Sequence, residues 1–243
     1  MRIIVICFAF FYASFSIAQV SVGIIAEPTL NLSSIGTLPS SQSDSLKSLR
    51  SHDYSLGLGI KIRNQIDRYN SITFIPGYTQ TNLLLVKEDL QFLDVIHPQL
   101  PEVRDFGQTA EKKAYLRYRQ KYIGTQILYA KRLQVNTGDA KLTVELGGGL
   151  GAYYLLQDDI RVRTEAFAIN NDYTQIIRDS TGIEVQPFLF NGILTGDMNY
   201  KILPDLILIG GFKLTLPVTI TTISEPTIRL YNASLRLGLR HIL

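Results

Sequence analysis

From residue 20 the chain alternates: Val20, Val22, Ile24, Ala26, Pro28, Leu30 and Leu32 occupy the even positions, and Ser21, Gly23, Ile25, Glu27, Thr29 and Asn31 the odd ones. Period two sends successive side chains to opposite faces of an extended strand. The pattern returns as Tyr54, Leu56, Leu58, Ile60 and Ile62 against Ser55, Gly57, Gly59, Lys61 and Arg63. A third strand is predicted over 71–82, with Ile72, Phe74 and Tyr78 on one face and Pro76 weakening it, because proline cannot donate to a ladder. The fourth, over 122–131, carries Ile123, Ile127 and Tyr129, and the fifth, over 141–155, carries Leu142, Val144, Leu146, Leu150 and Tyr154. Phe188, Phe190, Leu194, Met198 and Tyr200 mark the sixth, and Leu206, Leu208, Phe212, Leu214 and Leu216 the seventh. The last runs to the C-terminus with Leu235, Leu237, Leu239 and Leu243 aligned, while Ile228 and Leu230 fall out of phase and predict a bulge near Tyr231 and Asn232.

The two faces differ in a way that identifies the inside. A soluble ligand-binding barrel would carry abundant Lys and Glu on its outer face. Here the second face is built from Gly57, Gly59, Gly147, Gly149, Gly151, Ser55, Thr143 and Thr215. Its sparse charges are Glu27, Lys61, Arg63, Glu145, Asp197, Lys213 and Arg236. Small residues with a few charges of both signs suit a narrow lumen, where each buried charge needs a partner. The apolar face then meets lipid, and a sheet in hydrocarbon must close so that no edge is left unpaired. The fold class that follows is all-β, a closed antiparallel up-and-down transmembrane barrel of eight strands.

The connections carry the same message. Gaps of about 21, 7, 39, 10, 32, 5 and 10 residues separate the strands, so long and short alternate. Both termini are then expected on the periplasmic side, with the segments 33–53, 83–121 and 156–187 outside.

Before the first strand, Arg2 is followed by an uncharged run to Phe15 and then Ser16-Ile17-Ala18, the pattern of a secretory signal cleaved after residue 18. The expected organisation is a signal peptide over 1–18 and a barrel domain over 19–243. The single cysteine, Cys7, leaves with the signal, which excludes disulfides, thiolate metal sites and cysteine nucleophiles from the mature chain. A net charge of +3 from 24 basic and 21 acidic side chains is too balanced for a nucleic-acid footprint.

The opening strand Val22-Gly23-Ile24 leading to Leu30-Asn31-Leu32-Ser33, the middle stretch from Tyr122 to Lys131, and the closing strand Ser234-Leu235-Arg236-Leu237-Gly238-Leu239-Arg240 resemble the PorT-like outer-membrane β-barrel family of Bacteroidota. Gln126 stands where members usually carry proline, and the chain ends in Leu243 rather than an aromatic residue. The resemblance implies fold and outer-membrane location, and through one member it points to protein secretion.

Candidate chemistry is sparse. Of the histidines His52, His97 and His241, only His52 has close serine and carboxylate neighbours, Ser51 and Asp53, and it is read as a solvated rim rather than a catalytic site. The run Gly147-Gly148-Gly149-Leu150-Gly151 loosely fits a dinucleotide fingerprint, but no helix opens after it. Neither an enzyme nor a cofactor or metal site is expected. Lys112, Lys113, Arg117, Arg119 and Lys121, interleaved with Tyr115, Tyr118 and Tyr122, suit contact with lipopolysaccharide phosphates, with the tyrosines anchoring at the interface; the alternative is a solvated strand extension. Leu83, Leu84, Leu85, Val86, Leu90, Phe92, Leu93, Val95 and Ile96 put unusual apolar surface on the same segment. They predict a short amphipathic helix that covers the barrel mouth as a lid or docks a partner. Around Ile169 to Asp172 renewed alternation predicts that the flanking strands continue as an exposed hairpin able to augment a partner's sheet.

The expected role is therefore a structural or interaction module, an accessory subunit of a secretion or uptake complex, with outer-membrane lipid and an outer-membrane or periplasmic protein as partners. A small pore and a lipid-modifying enzyme are the alternatives.

Overall fold

The computed structural model of the chain describes residues 19–35, 53–87, 104–105, 113–133, 141–165, 167–168, 185–223 and 227–243. Eight long strands close a barrel: β1 (Gln19–Ile35), β2 (Asp53–Gln65), β3 (Asn70–Lys87), β5 (Lys113–Leu133), β6 (Leu142–Glu165), β8 (Phe188–Lys201), β9 (Leu206–Pro217) and β10 (Ile228–Ile242). Two-residue strands β4 (Arg104–Asp105) and β7 (Phe167–Ala168) pair with each other outside it. Each long strand pairs antiparallel with its neighbours, and β1 closes the ring by pairing with both β2 and β10. This is the eight-stranded up-and-down barrel that the alternation predicts.

Closure assigns the two faces. The odd positions of β1 and β2 point inward, burying Ser21, Glu27, Thr29, Asn31, Lys61 and Arg63, while Ile24, Tyr54, Leu56, Leu58 and Ile60 stand exposed. The same split continues around the ring, with Ile123, Ile127, Leu150, Phe190, Leu194, Met198, Phe212, Leu235 and Leu237 on the outer surface. Along β8, Phe190 and Tyr200 are ten positions apart, about 33 Å of strand, or about 25 Å of height at a usual tilt. That height matches the apolar band of a membrane barrel.

Prolines interrupt single ladders only. The β1–β10 register omits the row of Pro28, and the β2–β3 register skips the row of Pro76, yet each proline remains paired with the strand on its other side, Leu56 and Thr125 respectively. A missing N–H removes a bond on one side and leaves the strand intact.

Several expectations are corrected. No bulge interrupts β10 beside β1: that register runs straight through Tyr231 and Asn232, and the register with β9 begins at Asn232. Ile228 and Leu230 are out of phase with Leu235 because they point inward and are buried. The shift in register lies instead between Lys121 and Tyr122, where β5 pairs with β6. Leu83, Leu84, Leu85 and Val86 are not helical; they belong to β3 and pair with Tyr118, Arg117, Leu116 and Tyr115 of β5. Leu90, Phe92, Leu93, Val95 and Ile96 lie outside the described residues. Strand β6 does extend past the barrel, but its partner there is β5, whereas its pairing with β8 ends at Tyr154 and Phe188. The extension is thus a three-stranded sheet of β3, β5 and β6, and 169–172 lies outside the described residues.

Candidate functional site

The interior carries the chemistry of this barrel, and three strands build its centre. Asp197 of β8 and Arg236 of β10 are both in register with Gly211 of β9, so a residue without a side chain separates them. Arg236 reaches over it, placing Nη1 3.0 Å from both carboxylate oxygens of Asp197. Its Nε lies 3.2 Å from Glu27 of β1. Lys61 crosses from β2 to donate to Asp197 at 2.8 Å. Lys213 of β9 donates to Glu27, which also accepts from Gln126 of β5 at 3.4 Å. Five charged groups from five strands thus form one connected network in which every carboxylate touches two cations. Arg236 is fully buried, and the other four are nearly so.

A second group sits nearer the end that carries Gln19 and Ile242, called here the terminal end. Arg63 donates to Glu145 at 2.5 Å, and Arg132 approaches the same oxygen at 3.8 Å. Arg240, only 2% exposed, joins this layer. Beside Glu27, Lys61, Arg63, Glu145, Asp197, Lys213 and Arg236, expected on the inner face from the alternation, stand Arg132 and Arg240, which were not expected there. Arg240 follows Arg236 by four positions on a stretch whose odd positions, Leu235, Leu237 and Leu239, are leucine, and that phase was the available signal.

The rest of the lumen is filled. Ile25, Ile75, Leu128 and Ile193 make one buried apolar cluster, and Tyr122, Tyr153 and Leu189 another. Gly151 makes room for the second: a Cβ there would lie 2.7 Å from the Tyr153 ring. Toward the long-loop end, Tyr122 donates to Gln120 at 3.1 Å and Thr29 pairs with Ser234 at 2.8 Å. Tyr118 and Tyr122 are buried inside, which corrects their expected place as interfacial anchors on the outer surface. Cavities in this part hold about 20 and 10 Å³, room for a water molecule or so each. A larger cavity of about 240 Å³ opens at the terminal end.

The basic residues of β5 are only partly brought together. Arg117 pairs with Asp53 at 3.1 Å and Lys121 donates to Gln157 at 3.0 Å. Arg117, Arg119 and Lys121 alternate with the buried Tyr118, Gln120 and Tyr122, so they take the opposite face from the lumen. Lys113 begins β5, and Lys112 lies outside the described residues. Ser51, His52 and His97 also lie outside them, and His241 is exposed on β10.

No family model and no curated protein matches the chain. Among solved structures it is similar to outer membrane protein OprG of Pseudomonas aeruginosa, at 11% identity over 93% of this chain and 97% of that one, with a TM-score of 0.46. It is similar to Neisserial surface protein A at 10% identity over 91% and 97% of the two chains, with a TM-score of 0.43. A third is outer membrane protein AlkL, solved in lipid bilayers, at 10% identity over 93% and 90%, with a TM-score of 0.48. At these identities nothing about activity transfers.

Proposed function

We propose that this chain is an exported, integral outer-membrane barrel that works without enzymatic chemistry or conduction, as a structural and interaction module within a secretion or uptake complex. The observation that carries the reading is the filled interior: the network around Arg236 and the Tyr122–Tyr153–Leu189 cluster occupy the lumen between the two mouths. The apolar outer belt supports membrane insertion, since strands of 12 to 14 residues such as β2, β8 and β9 exceed the roughly 9–11 needed to cross. In this reading the signal over 1–18 is removed, the terminal end faces the periplasm and the strand extension faces outward. Kinship with PorT-like barrels belongs to the same proposal.

The extension is the proposed docking element. Beyond Thr79, β3 has no ladder partner toward β2 among the described residues, and beyond Leu155, whose N–H donates to the Pro187 carbonyl at 2.8 Å, β6 has none toward β8. Such edges can accept a partner's strand. Arg117, Arg119 and Lys121, on the outside of this extension, together with Lys112 and Lys113, are proposed to contact lipopolysaccharide phosphates.

Affinity purification of the tagged protein from native outer membranes in mild detergent tests the reading. A stoichiometric partner protein is expected, together with no steady open state in planar bilayers. A lone barrel that conducts would replace it with a small pore.

A further inference from the structure

We propose that the cavity at the terminal end is an anion site that takes a phosphate or phosphomonoester dianion. The cavity, about 240 Å³, is lined by Arg63, Arg132, Lys141, Lys201 and Arg240, and among the described residues no carboxylate lines it. Glu145 is engaged by Arg63 at 2.5 Å and approached by Arg132 at 3.8 Å. Arg240 makes no such ion pair among the described residues, and an uncompensated charge in a confined site is costly.

The second observation is unmet hydrogen bonding. Arg240 is 2% exposed, yet its Nε and Nη1 have no hydrogen-bond partner among the described residues. Asn199, also 2% exposed and lining the same cavity, has both amide atoms unpartnered. Arg63 also keeps an Nε with no hydrogen-bond partner, and the Arg132 Nε, 3.8 Å from Glu145, makes an ion pair but no hydrogen bond. Buried polar groups in folded proteins are normally satisfied, so a cluster of orphaned donors around an open cavity points to a missing acceptor. Guanidinium forks match the oxygen geometry of phosphate in a bidentate manner, which a ring of lysines alone would not do.

The site is held rigidly. Arg240 and Arg63 sit on barrel strands whose ladders continue past them: Arg240 pairs with Gly23 and Ile207, and Arg63 with Ser21 and Thr73. Lys201 donates its backbone N–H to the Lys141 carbonyl at 2.9 Å, which fixes those two lysines at one corner of the mouth. The inference goes beyond the proposed interaction role and stands whether or not a protein partner is found.

The test is calorimetric titration of the full mature chain, refolded in detergent at pH 8, with inorganic phosphate, with glucose 6-phosphate and with sodium chloride at matched ionic strength. Saturable binding of phosphate or the ester is expected, with chloride silent. Tighter binding of the ester would identify an organic phosphate as the natural occupant, and equal or tighter binding of phosphate the free ion. Arg240→Met is expected to weaken binding about tenfold or more. Because Arg240 is buried, Arg132→Gln at the half-exposed edge serves as the second variant and is expected to weaken binding several-fold in a barrel that folds normally. An absence of saturable binding, an equal response to chloride, or Kd values unchanged in a folded Arg132→Gln barrel would overturn the proposal.

Discussion

Arg236 and Asp197 meet across Gly211, two strands apart in the barrel wall, with Nη1 of the arginine 3.0 Å from both carboxylate oxygens. A Cβ built on Gly211 would lie 2.7 Å from the Asp197 carboxylate and 2.3 Å from the Gly196 carbonyl oxygen. The absent side chain is therefore what lets the two charges touch. Gly211→Val is expected to destabilise the barrel by about 1–3 kcal/mol, the usual effect of overpacking. Urea unfolding in detergent micelles, followed by circular dichroism, measures it.

Arg236 also pairs with Glu27, so its removal takes one of two cations from each of two buried carboxylates at once. Arg236→Met is expected to lose about 3–5 kcal/mol, the cost of breaking a buried ion pair from one side. Adding Glu27→Gln and Asp197→Asn to the same chain is expected to lower stability further, because Lys61 and Lys213 then lose their counter-ions. If the triple variant is at least as stable as the single one in heat-modifiability gels, charge compensation is not what holds the centre together.

Leu235 is 63% exposed and lies at the middle of β10, on the outer belt. In a bilayer, Leu235→Arg is expected to cost about 2–4 kcal/mol. Equilibrium folding into liposomes measures the difference. An exterior that faced water would show almost no effect, which makes this variant a direct test of membrane insertion.

Asp67 caps the turn between β2 and β3. One of its oxygens accepts from the backbone N–H groups of Tyr69 and Asn70 at 2.7 and 2.8 Å, and the other from the Asn70 side chain at 2.7 Å. The Asn70 amide first, then the two backbone N–H groups, hold its carboxyl below the ordinary value. A depressed carboxylate adds stability above its unfolded pKa, near 4, and loses it as pH falls through the lower folded value. Carboxyl carbon NMR is expected to show Asp67 titrating below the exposed aspartates, and Asn70→Ala is expected to raise its midpoint.

Alternation within each strand was legible from the first residues, because period two is a local property of extended backbone. It separated Leu56, Leu58 and Ile60 from Gly57, Gly59 and Lys61 without any knowledge of neighbours, and eight such segments with alternating gaps were enough to read a closed antiparallel barrel. Where Ile228 and Leu230 broke phase, the same local rule misled: two apolar residues on the inner face look like a slipped strand until their burial inside the closed barrel is known. Strand lengths past the barrel were equally hidden, since Leu83 to Val86 become a strand only through pairing with β5.

The sequence by itself determined the two faces, the strand count and most of the charges that lie on the inner one. Tertiary structure decided which of those charges meet: Glu27, Lys61, Asp197, Lys213 and Arg236 come from five strands, and only closure and register place them within hydrogen-bond reach. The reason is one of range. Face is set by each residue's own backbone, whereas the pairing of an arginine with a carboxylate two strands away depends on the stagger of every strand between them.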